Sequence, residues 1–190
     1  TPGISSAASD VYKRQGMTAA ELAYEILIEN DGNNFIYAPL VNYADHTFGV
    51  CKKMLDDKNA IMGLGDGGAH VGFILDAGYP TWLISYWSVK QKAYSMEETV
   101  RRLTSDTANA AGLNDRGLLK VGLKADINII DWENVGSSDP FMTQDLPAGG
   151  KRLMQYTKGY VTTIVSGKVT YKNGKFTKER PGTVVKSVKD

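Results

Sequence analysis

The chain has 190 residues, and its 22 basic and 21 acidic residues are interspersed to give a formal net charge of +1. That pattern forms no basic patch, so we expect neither nucleic acid nor an anionic membrane surface as a partner. Hydrophobic residues are 42% of the chain, enough to bury a core, and no run approaches the roughly 18 apolar residues of a membrane span. The single cysteine, Cys51, excludes an internal disulfide framework and favours a reducing, cytoplasmic location.

Residues 1–15 are predicted to be foreign to the protein. The stretch Asp10-Val11-Tyr12-Lys13-Arg14-Gln15 matches the translation of a transposon adapter used in sequencing libraries, GAT GTG TAT AAG AGA CAG. A natural polar arm at the N-terminus is the alternative interpretation. If residues 1–15 are an adapter artefact, the remaining chain is the C-terminal piece of a longer protein.

Helix and strand signals alternate in the first half of the chain, which is typical of a parallel α/β sheet. The apolar runs Phe35 to Ala38 and Ile61 to Leu64 are predicted to be buried strands. Capping boxes mark two of the helix starts, and Gly, Pro and Asx clusters mark the ends. The predicted helices are, in chain order, Thr18 to about Asn30, about Asp45 to Leu55, Pro80 to about Lys92, Ser95 to about Leu103, and a short helix capped by Asp106 and ended by Gly112.

After Gly112 the sequence changes to turn signals and alternating apolar residues. Two dipeptides, Ser166-Gly167 and Asn173-Gly174, are strong signals for two-residue hairpin turns. We therefore predict an antiparallel β module in this half of the chain, with residues 140–150 as a long irregular loop. Its predicted strands are Ala125 to Asp131, Tyr160 to Val165, Lys168 to Tyr171 and Lys175 to Phe176.

The segment that follows Ile61 is the most informative part of the sequence. A short apolar run leads into a glycine-rich loop around Asp66, and glycine permits conformations and close approaches that a side chain blocks. A carboxylate at the carboxyl end of a buried strand is where parallel α/β folds keep their chemistry. From residue types alone, Asp66 is equally a catalytic carboxylate or a loop residue that binds turn amides.

Other polar residues near this loop have both functional and structural interpretations. His70 lies in the same loop and is a candidate for orienting a substrate, although a loop histidine is often a hydrogen-bonded surface residue. Asp76 and Tyr79 are candidates for the border of a pocket, and Asp76 is equally suited to cap the next helix. His46 is interpreted as a polar helix-end residue, and Cys51 as a core residue on an apolar helix face.

Short motifs along residues 16–181 occur in the order found in a known family of enzymes. They resemble the amidohydrolase superfamily, and within it the N-acyl-D-amino-acid deacylase group, also called amidohydrolase family 3. The set of motifs is more specific than any one of them. The residues that carry the resemblance are Asn42-Tyr43, residues 63–70 (Gly-Leu-Gly-Asp-Gly-Gly-Ala-His), Asp76, Thr104-Ser105-Asp106 with residues 110–113, Asp115-Arg116-Gly117, residues 122–126 (Gly-Leu-Lys-Ala-Asp), residues 145–152 (Asp-Leu-Pro-Ala-Gly-Gly-Lys-Arg) and residues 165–169 (Val-Ser-Gly-Lys-Val).

The resemblance implies a (β/α)8 TIM-type barrel flanked by an antiparallel β-sandwich. A complete barrel needs about 250 residues, so the expected fold class is α/β, with the C-terminal portion of a metal-dependent hydrolase barrel plus part of the sandwich. Phe35 to Ala38 would be the seventh barrel strand and Ile61 to Leu64 the eighth. The expected domains are residues 16–113 for the barrel portion and 114–190 for the sandwich portion, after the artefact at 1–15. Barrel strands without neighbours should leave strand edges and helix faces exposed, which favours aggregation.

The resemblance also implies a role for the loop carboxylate. Asp66 matches the aspartate that ends the eighth strand, the general acid/base that takes a proton from the attacking water and passes it to the leaving amine. Zinc is the implied cofactor, and Asp66 is also a candidate metal ligand. The family takes histidine ligands from the first, fifth and sixth strands, which the predicted fragment lacks. We therefore predict an enzymatic parent protein and an inactive fragment.

The expected function is hydrolysis of carbon-nitrogen bonds other than peptide bonds, with an N-acyl-D-amino acid or a related linear amide as the small-molecule substrate. His70 is the candidate substrate-binding residue. A cyclic-amide hydrolase of the hydantoinase or dihydroorotase kind is the alternative enzyme. The loop around Asp66 and the Asp-Leu-Pro-Ala-Gly-Gly segment favour the deacylase. A β-rich binding module is the non-enzymatic alternative, and the sequence predicts no oligomeric state.

Overall fold

The computed structural model describes residues 16–36, 42–43, 45–63, 65 and 67–185. Asp66, Leu64, residues 1–15 and residues 37–38, which carry several of the predictions, lie outside the described residues. The chain divides into two compact units, Thr1–Cys51 and Lys52–Asp190. No helix in the described part of the chain is long and apolar enough to cross a membrane, and the cytoplasmic location stays a prediction.

The first helix, α1, spans Ala19–Gly32 and begins at the predicted capping box. The Glu21 amide donates to the Thr18 hydroxyl at 3.2 Å, and the Thr18 amide donates to the Glu21 carboxylate at 2.7 Å. The regular helical backbone ends before Glu29, because Asn30 and Asp31 adopt left-handed conformations with φ near 53° and 55°. This end lies slightly earlier than predicted, and it uses the residue types that the sequence marks as helix breakers.

The second helix, α2, spans Gly49–Asp56 and begins later than predicted. The reason is a local turn, in which the Asp45 carboxylate accepts from the Thr47 amide at 3.1 Å and from its hydroxyl at 2.8 Å. The Gly49 amide in turn donates to the Thr47 hydroxyl at 3.2 Å. Short polar side chains therefore compete with the helix for these backbone groups.

The two predicted barrel strands are wrong over the residues that the structure describes. Phe35 and Ile36 have no regular secondary structure, and neither do residues 61–63. The strand found in this part of the chain, β1, spans Gly67–His70 within the glycine-rich loop. Ile61 is 50% exposed, so the apolar run does not form the buried strand that its composition predicts.

The apolar segment predicted to be a well-buried helix is confirmed. It begins with a 3-10 turn at Asp76–Gly78, continues as helix α3 at Tyr79–Trp82, and ends as a π-helix at Leu83–Lys90. Leu83 is fully buried, and the Ser88 hydroxyl donates to the Tyr94 carbonyl at 3.0 Å. The buried hydrophobic residues of the described chain are Leu83, Ile84, Trp87, Tyr94, Ala108 and Val135.

Two short helices follow, α4 at Met96–Leu103 and α5 at Ser105–Ala110, with the predicted break at Thr104. The Ser95 hydroxyl caps α4 by accepting from the Glu98 amide at 3.1 Å. The predicted reciprocal half of this capping box is absent, because the Glu98 carboxylate pairs with Arg102 at 2.8 Å instead.

The predicted cap of α5 by Asp106 is also wrong. Asp106 lies inside the first turn of the helix and pairs with Arg101 at 2.5 Å. The end of α5 follows the prediction, because Gly112 adopts φ 69° and the Leu113 amide donates to the Ala108 carbonyl at 2.8 Å. This pattern is a Schellman motif with glycine in the left-handed position.

The second half of the chain forms a nested antiparallel arrangement. Three strands are followed along the chain by their three partners in reverse order. Each pair is therefore enclosed in the sequence by the pair before it. The pairs are β2 (Ile127–Ile130) with β7 (Tyr160–Val165), β3 (Gly136–Ser137) with β6 (Thr157–Lys158), and β4 (Phe141–Leu146) with β5 (Gly150–Met154).

The predicted irregular loop at residues 140–150 is therefore wrong, because most of it belongs to the β4–β5 hairpin. A 3-10 turn at Pro147–Gly149 forms its tip, where Ala148 adopts φ 58°. The Arg152 guanidinium donates to both oxygens of Asp145 across the hairpin, at 2.7 and 2.5 Å. The opposite charges of Asp145 and Arg152, on either side of the Pro-Ala-Gly turn, are the sequence signal that could have identified the two strands.

The predicted hairpins at the C-terminal end are confirmed. Strands β8 (Lys168–Lys172) and β9 (Lys175–Phe176) extend the sheet in the order β2-β7-β8-β9. Both predicted turns have positive φ at their two central residues, 48° and 77° at Ser166-Gly167 and 48° and 74° at Asn173-Gly174. All pairings among the described strands are antiparallel, so they do not include the predicted parallel sheet.

Large apolar side chains are exposed on helix α1 and on a loop, and the exposed helix face agrees with the prediction. On α1, Tyr24 is 65% exposed and Ile28 is 53% exposed. In the second unit, Leu119 and Val121 on the loop before β2 are 83% and 100% exposed. The association behaviour that such apolar surface favours stays a prediction.

Candidate functional site

The glycine-rich loop packs closely against the start of the buried helical segment. A Cβ placed on Gly65 would lie 2.8 Å from the carbonyl carbon of Asp76, and one on Gly67 would lie 2.6 Å from the Ala77 Cβ. Real Cβ atoms do not approach other atoms this closely, so glycine is required at both positions. The close backbone approach expected of this loop is therefore present at Gly65 and Gly67, the described neighbours of Asp66.

The other glycines of this region have different surroundings. Gly68 adopts φ 102°, a conformation that favours glycine, and a Cβ there would meet nothing within 4 Å. Gly63 and Gly72 also have open space, and neither has a φ in the left-handed region. Packing thus requires glycine at positions 65 and 67, and the backbone conformation favours glycine at position 68.

Asp76 and Tyr79 lie next to the loop. The Asp76 carbonyl carbon and the Tyr79 ring, with its Cδ1 at 3.2 Å, are the atoms that a Cβ on Gly65 would meet. Helix α3 has Gly78 at its N-cap position and no side-chain cap, so the capping interpretation of Asp76 is wrong. The structure brings both residues beside Gly65, and their role at the border of a pocket stays a prediction.

His70 ends β1 and begins a tight turn. It adopts φ 44°, and its carbonyl accepts hydrogen bonds from the Phe73 amide at 2.9 Å and the Ile74 amide at 3.2 Å. The imidazole stacks on the Phe73 ring, with centroids 5.1 Å apart and planes 21° apart. His70 is exposed and Phe73 is 70% exposed, so the pair is accessible to a small molecule.

The hairpin β4–β5 reaches the same turn. The Leu153 amide of β5 donates to the Val71 carbonyl at 2.7 Å. This contact connects residues that are far apart in the sequence, and sequence reasoning missed it. Nearby, a hydrogen bond of 3.0 Å between the Thr81 and Tyr160 hydroxyls joins α3 to β7.

His46 and Cys51 belong to the first unit and have local partners there. His46 adopts φ 58° in the turn before α2, and its ring lies edge-on to Tyr43 with centroids 6.1 Å apart. The Cys51 thiol donates to the Asn42 carbonyl at 3.4 Å. Burial raises the pKa of the Cys51 thiol, which disfavours the nucleophilic thiolate, although the side chain is half-buried rather than fully in a core.

The described residues do not fit a zinc site. Nowhere in the described ranges do three or more His, Cys, Asp or Glu residues come together to hold a metal ion. The candidate ligand Asp66 lies outside these ranges, and its roles as catalyst and ligand stay predictions.

Several motifs behind the family resemblance form a structural joint instead of a reactive site. The Arg116 guanidinium pairs with Asp115 at 2.8 Å and with Asp126 at 3.2 Å. The other oxygen of Asp126 accepts from the Ser166 amide at 2.8 Å. We call residues 115–117, 122–126 and 165–167 the Arg116 joint, since their mutual contacts connect the end of α5 to the β2–β7 edge.

A second ionic cluster, also missed by sequence reasoning, surrounds Asp56. Its carboxylate accepts from Lys52 at 2.5 Å and from the Tyr94 hydroxyl at 2.9 Å. The Arg102 guanidinium lies 4.5 Å from the centroid of the Tyr94 ring and donates to the Leu55 carbonyl at 2.6 Å. Hydrogen bonds from Lys52 and Tyr94 lower the pKa of Asp56. The bonds to Tyr94 and Arg102 connect the end of α2 to Tyr94 and to α4.

The chain is similar to known proteins over most of its length. The profile of the amidohydrolase family matches residues 14–171, a stretch that includes the glycine-rich loop and the Arg116 joint. A dihydroorotase from Lactobacillus acidophilus is 33% identical over 89 residues, which is 45% of this chain and 20% of that protein. The chain thus matches about one fifth of the length of that relative. No solved structure matches the chain.

Proposed function

This chain belongs to the amidohydrolase family, and we therefore propose that the complete protein is a metal-dependent hydrolase of carbon-nitrogen bonds other than peptide bonds. The observation that carries the proposal is the family match over residues 14–171, which includes the loop with Asp66 and His70. The same match disfavours a β-rich binding module. The mixed α/β architecture accords with part of an amidohydrolase fold.

In the proposed reaction, Asp66 acts as the general acid/base. Its carboxylate takes a proton from the water that attacks the amide carbonyl, so that a C–O bond forms. It then returns the proton to the nitrogen as the C–N bond breaks, which releases an acid and an amine. The close packing of Gly65 and Gly67 supports this role, because a loop with a catalytic side chain needs a fixed backbone.

His70 is proposed to bind the substrate beside this base. Its imidazole is exposed and stacks on Phe73, which restricts the orientation of the ring. A ring held in this way can donate a hydrogen bond to a carboxylate or carbonyl oxygen of the substrate. The role does not require His70 to ligate a metal.

Zinc is the proposed metal. A bound zinc ion polarises a carbonyl and lowers the pKa of a water molecule, the chemistry that amide hydrolysis needs. Because the described residues form no suitable cluster, we propose that its histidine ligands belong to other parts of the complete protein. On this view residues 16–113 are the last part of a barrel, residues 114–190 are part of a β-sandwich, residues 1–15 are the adapter artefact, and the chain alone is inactive.

N-acyl-D-amino acids or related linear amides are the proposed substrates. The Gly-Asp-Gly-Gly-Ala-His loop and the Asp-Leu-Pro-Ala-Gly-Gly segment support this choice. A cyclic amide is the second candidate, and the relative named a dihydroorotase favours it. The two candidates share the carboxylate chemistry and differ in the shape of the substrate.

The test is a substrate panel on the complete metal-loaded protein, with N-acetyl-D-amino acids, their L-isomers, hydantoin and dihydroorotate. We expect turnover of the D-acyl compounds and a loss of about 10²- to 10⁴-fold in kcat for Asp66→Asn. Asp139→Asn, at an exposed position in the β half, is the control and should keep full activity. Turnover of cyclic amides alone would overturn the linear substrate, and no turnover of any amide would overturn the hydrolase.

A further inference from the structure

The glycine-rich loop is held on two sides by segments that are distant in the sequence. From this geometry we infer that Gly65, Gly67 and the amide of Leu153 are positioning elements of the proposed active site. The inference rests on the proposed function, because this loop carries Asp66 and His70. We call the set of contacts the loop clamp.

The first side of the clamp is the backbone at the start of the buried helical segment. A Cβ placed on Gly67 would lie 2.9 Å from the Ala77 nitrogen and 3.0 Å from the Ala77 Cα. A Cβ placed on Gly65 would lie 2.8 Å from the Asp76 carbonyl carbon and closer still to the carbonyl oxygen. These neighbours are main-chain atoms or short side chains on a helix start, so they cannot rotate away from a new methyl group.

The second side of the clamp is the outer edge of β5. Leu153 pairs with Met142 on β4, and its amide points away from that partner to the Val71 carbonyl, 2.7 Å away. The bidentate pair between Asp145 and Arg152 braces the same hairpin. The end of β1 is therefore tied to a strand that the chain reaches only much later.

Both sides fix the backbone and leave the functional side chain accessible. His70 remains exposed between the two sets of contacts, although its carbonyl is engaged by the Phe73 and Ile74 amides. A rigid backbone with accessible side chains is the arrangement that a catalytic loop needs, because a displacement of about 1 Å can cost 10²-fold in rate.

The loop contains its own control positions. A methyl group added at Gly63 or Gly72 would meet no atom within 4 Å, and neither residue has a φ in the left-handed region. Gly65→Ala and Gly67→Ala should each lower kcat of the complete metal-loaded protein by about 10²-fold, with KM changed far less. Gly63→Ala and Gly72→Ala should leave kcat close to that of the wild type.

Leu153 supplies a second, independent test. Leu153→Pro removes the donor to Val71 and is sterically suited to a strand edge, whereas Leu153→Ala keeps the donor and shortens the side chain. We expect a loss of kcat in the proline variant that exceeds the loss in the alanine variant. Hydrogen exchange at the Phe73 and Ile74 amides should be faster in Leu153→Pro and Gly67→Ala than in Gly72→Ala.

The outcomes separate this inference from the proposed function. If the wild type hydrolyses no amide, the proposed function fails, and the exchange rates alone decide whether the clamp holds the loop. If the wild type is active but Gly65→Ala and Gly67→Ala keep its kcat, the positioning role is overturned. Equal losses at Gly63 and Gly72 would also overturn it, because the loop would then require glycine without regard to the clamp.

Discussion

The glycine-rich loop and the Arg116 joint both contain glycine and aspartate motifs. They differ in whether the described polar side chains have partners within the protein or are exposed to solvent. In the joint, the carboxylates of Asp115 and Asp126 are paired with a guanidinium, and Asp126 also accepts a backbone amide. In the loop, contacts fix the backbone while the His70 and Phe73 side chains are exposed. A motif shared with a family thus marks structure in one place and proposed chemistry in the other.

The difference predicts which substitutions affect stability and which affect activity. Changes in the Arg116 joint should lower the free energy of unfolding, because its polar groups have partners within the protein. Changes to exposed side chains on the loop should leave the free energy of unfolding nearly unchanged.

The largest effect is expected at Gly117. It adopts φ 90°, and a Cβ there would lie 2.9 Å from the Ala108 Cβ and 3.1 Å from the Ser105 Cα. Gly117→Ala should lower the free energy of unfolding by about 3 kcal/mol, since an unfavourable backbone conformation adds to overpacking. Urea denaturation would measure this change.

Gly122 provides the matched control for that substitution. It has nearly the same φ, 91°, but no atom within 4 Å of the Cβ position. Gly122→Ala should therefore cost only the conformational part, about 1 kcal/mol. Equal effects at the two glycines would show that close packing at Gly117 contributes nothing.

The next largest effect is expected at Asp126. Asp126→Asn keeps the shape of the side chain but removes its negative charge, which pairs with Arg116 and accepts from the Ser166 amide. We expect a loss of about 1 kcal/mol in the free energy of unfolding, because a charge-assisted hydrogen bond becomes neutral. The exposed residue Asp139 serves as the control, and an equal loss in Asp139→Asn would contradict a specific role for the joint.

A smaller, pH-dependent effect is expected at Asp115. The hydrogen bond from Arg116 lowers the pKa of the Asp115 carboxyl below its ordinary value. A lowered pKa contributes stability that is present above the unfolded value of about 3.9 and is lost as the pH falls through the folded value. The stability difference between the wild type and Asp115→Asn should be visible near neutral pH and vanish at more acidic pH.

Denaturation curves of both proteins at several pH values would measure that difference. Added salt should reduce it at neutral pH, because the Asp115 carboxylate is exposed and its attraction to Arg116 is screened. A difference that persisted unchanged below the folded pKa would contradict the assignment to the carboxylate charge.

The smallest effect on stability is expected in the loop itself. Phe73 is 70% exposed and contacts the His70 ring. Phe73→Ala should change the free energy of unfolding by less than about 0.5 kcal/mol, as is usual for exposed positions. Thermal unfolding would measure it, and a loss comparable to that of Asp126→Asn would mean that the stacked pair is structural.

Local features could be predicted from the sequence with good accuracy. The capping box at Thr18, the helix end at Gly112 and the two hairpin turns all depend on residues within about five positions of each other. The incorrect local predictions, the start of α2 and the second capping box, have physical causes. Asp45 and Thr47 used their side chains for a turn, and Glu98 paired with Arg102 rather than completing its capping box.

The candidate site was predictable only in part. The sequence identified the loop and placed Asp76 and Tyr79 near it, and the structure brings both beside Gly65. No sequence signal indicated that Leu153 would bind Val71, because backbone donors are the same in nearly every residue type. The strand at residues 61–63 was overpredicted, since an apolar run does not reveal whether a partner covers it.

The family, most of the local caps and turns, and the position of the glycine-rich loop could be predicted from the residues alone. These depend on residue type and short spacing, which are read directly from the chain. Only the folded structure revealed that the Leu153 amide binds the Val71 carbonyl, that β2 pairs with β7, and that Asp126 accepts from the Ser166 amide. The physical reason is that these features require contacts between segments whose separation along the chain hides them from any local pattern.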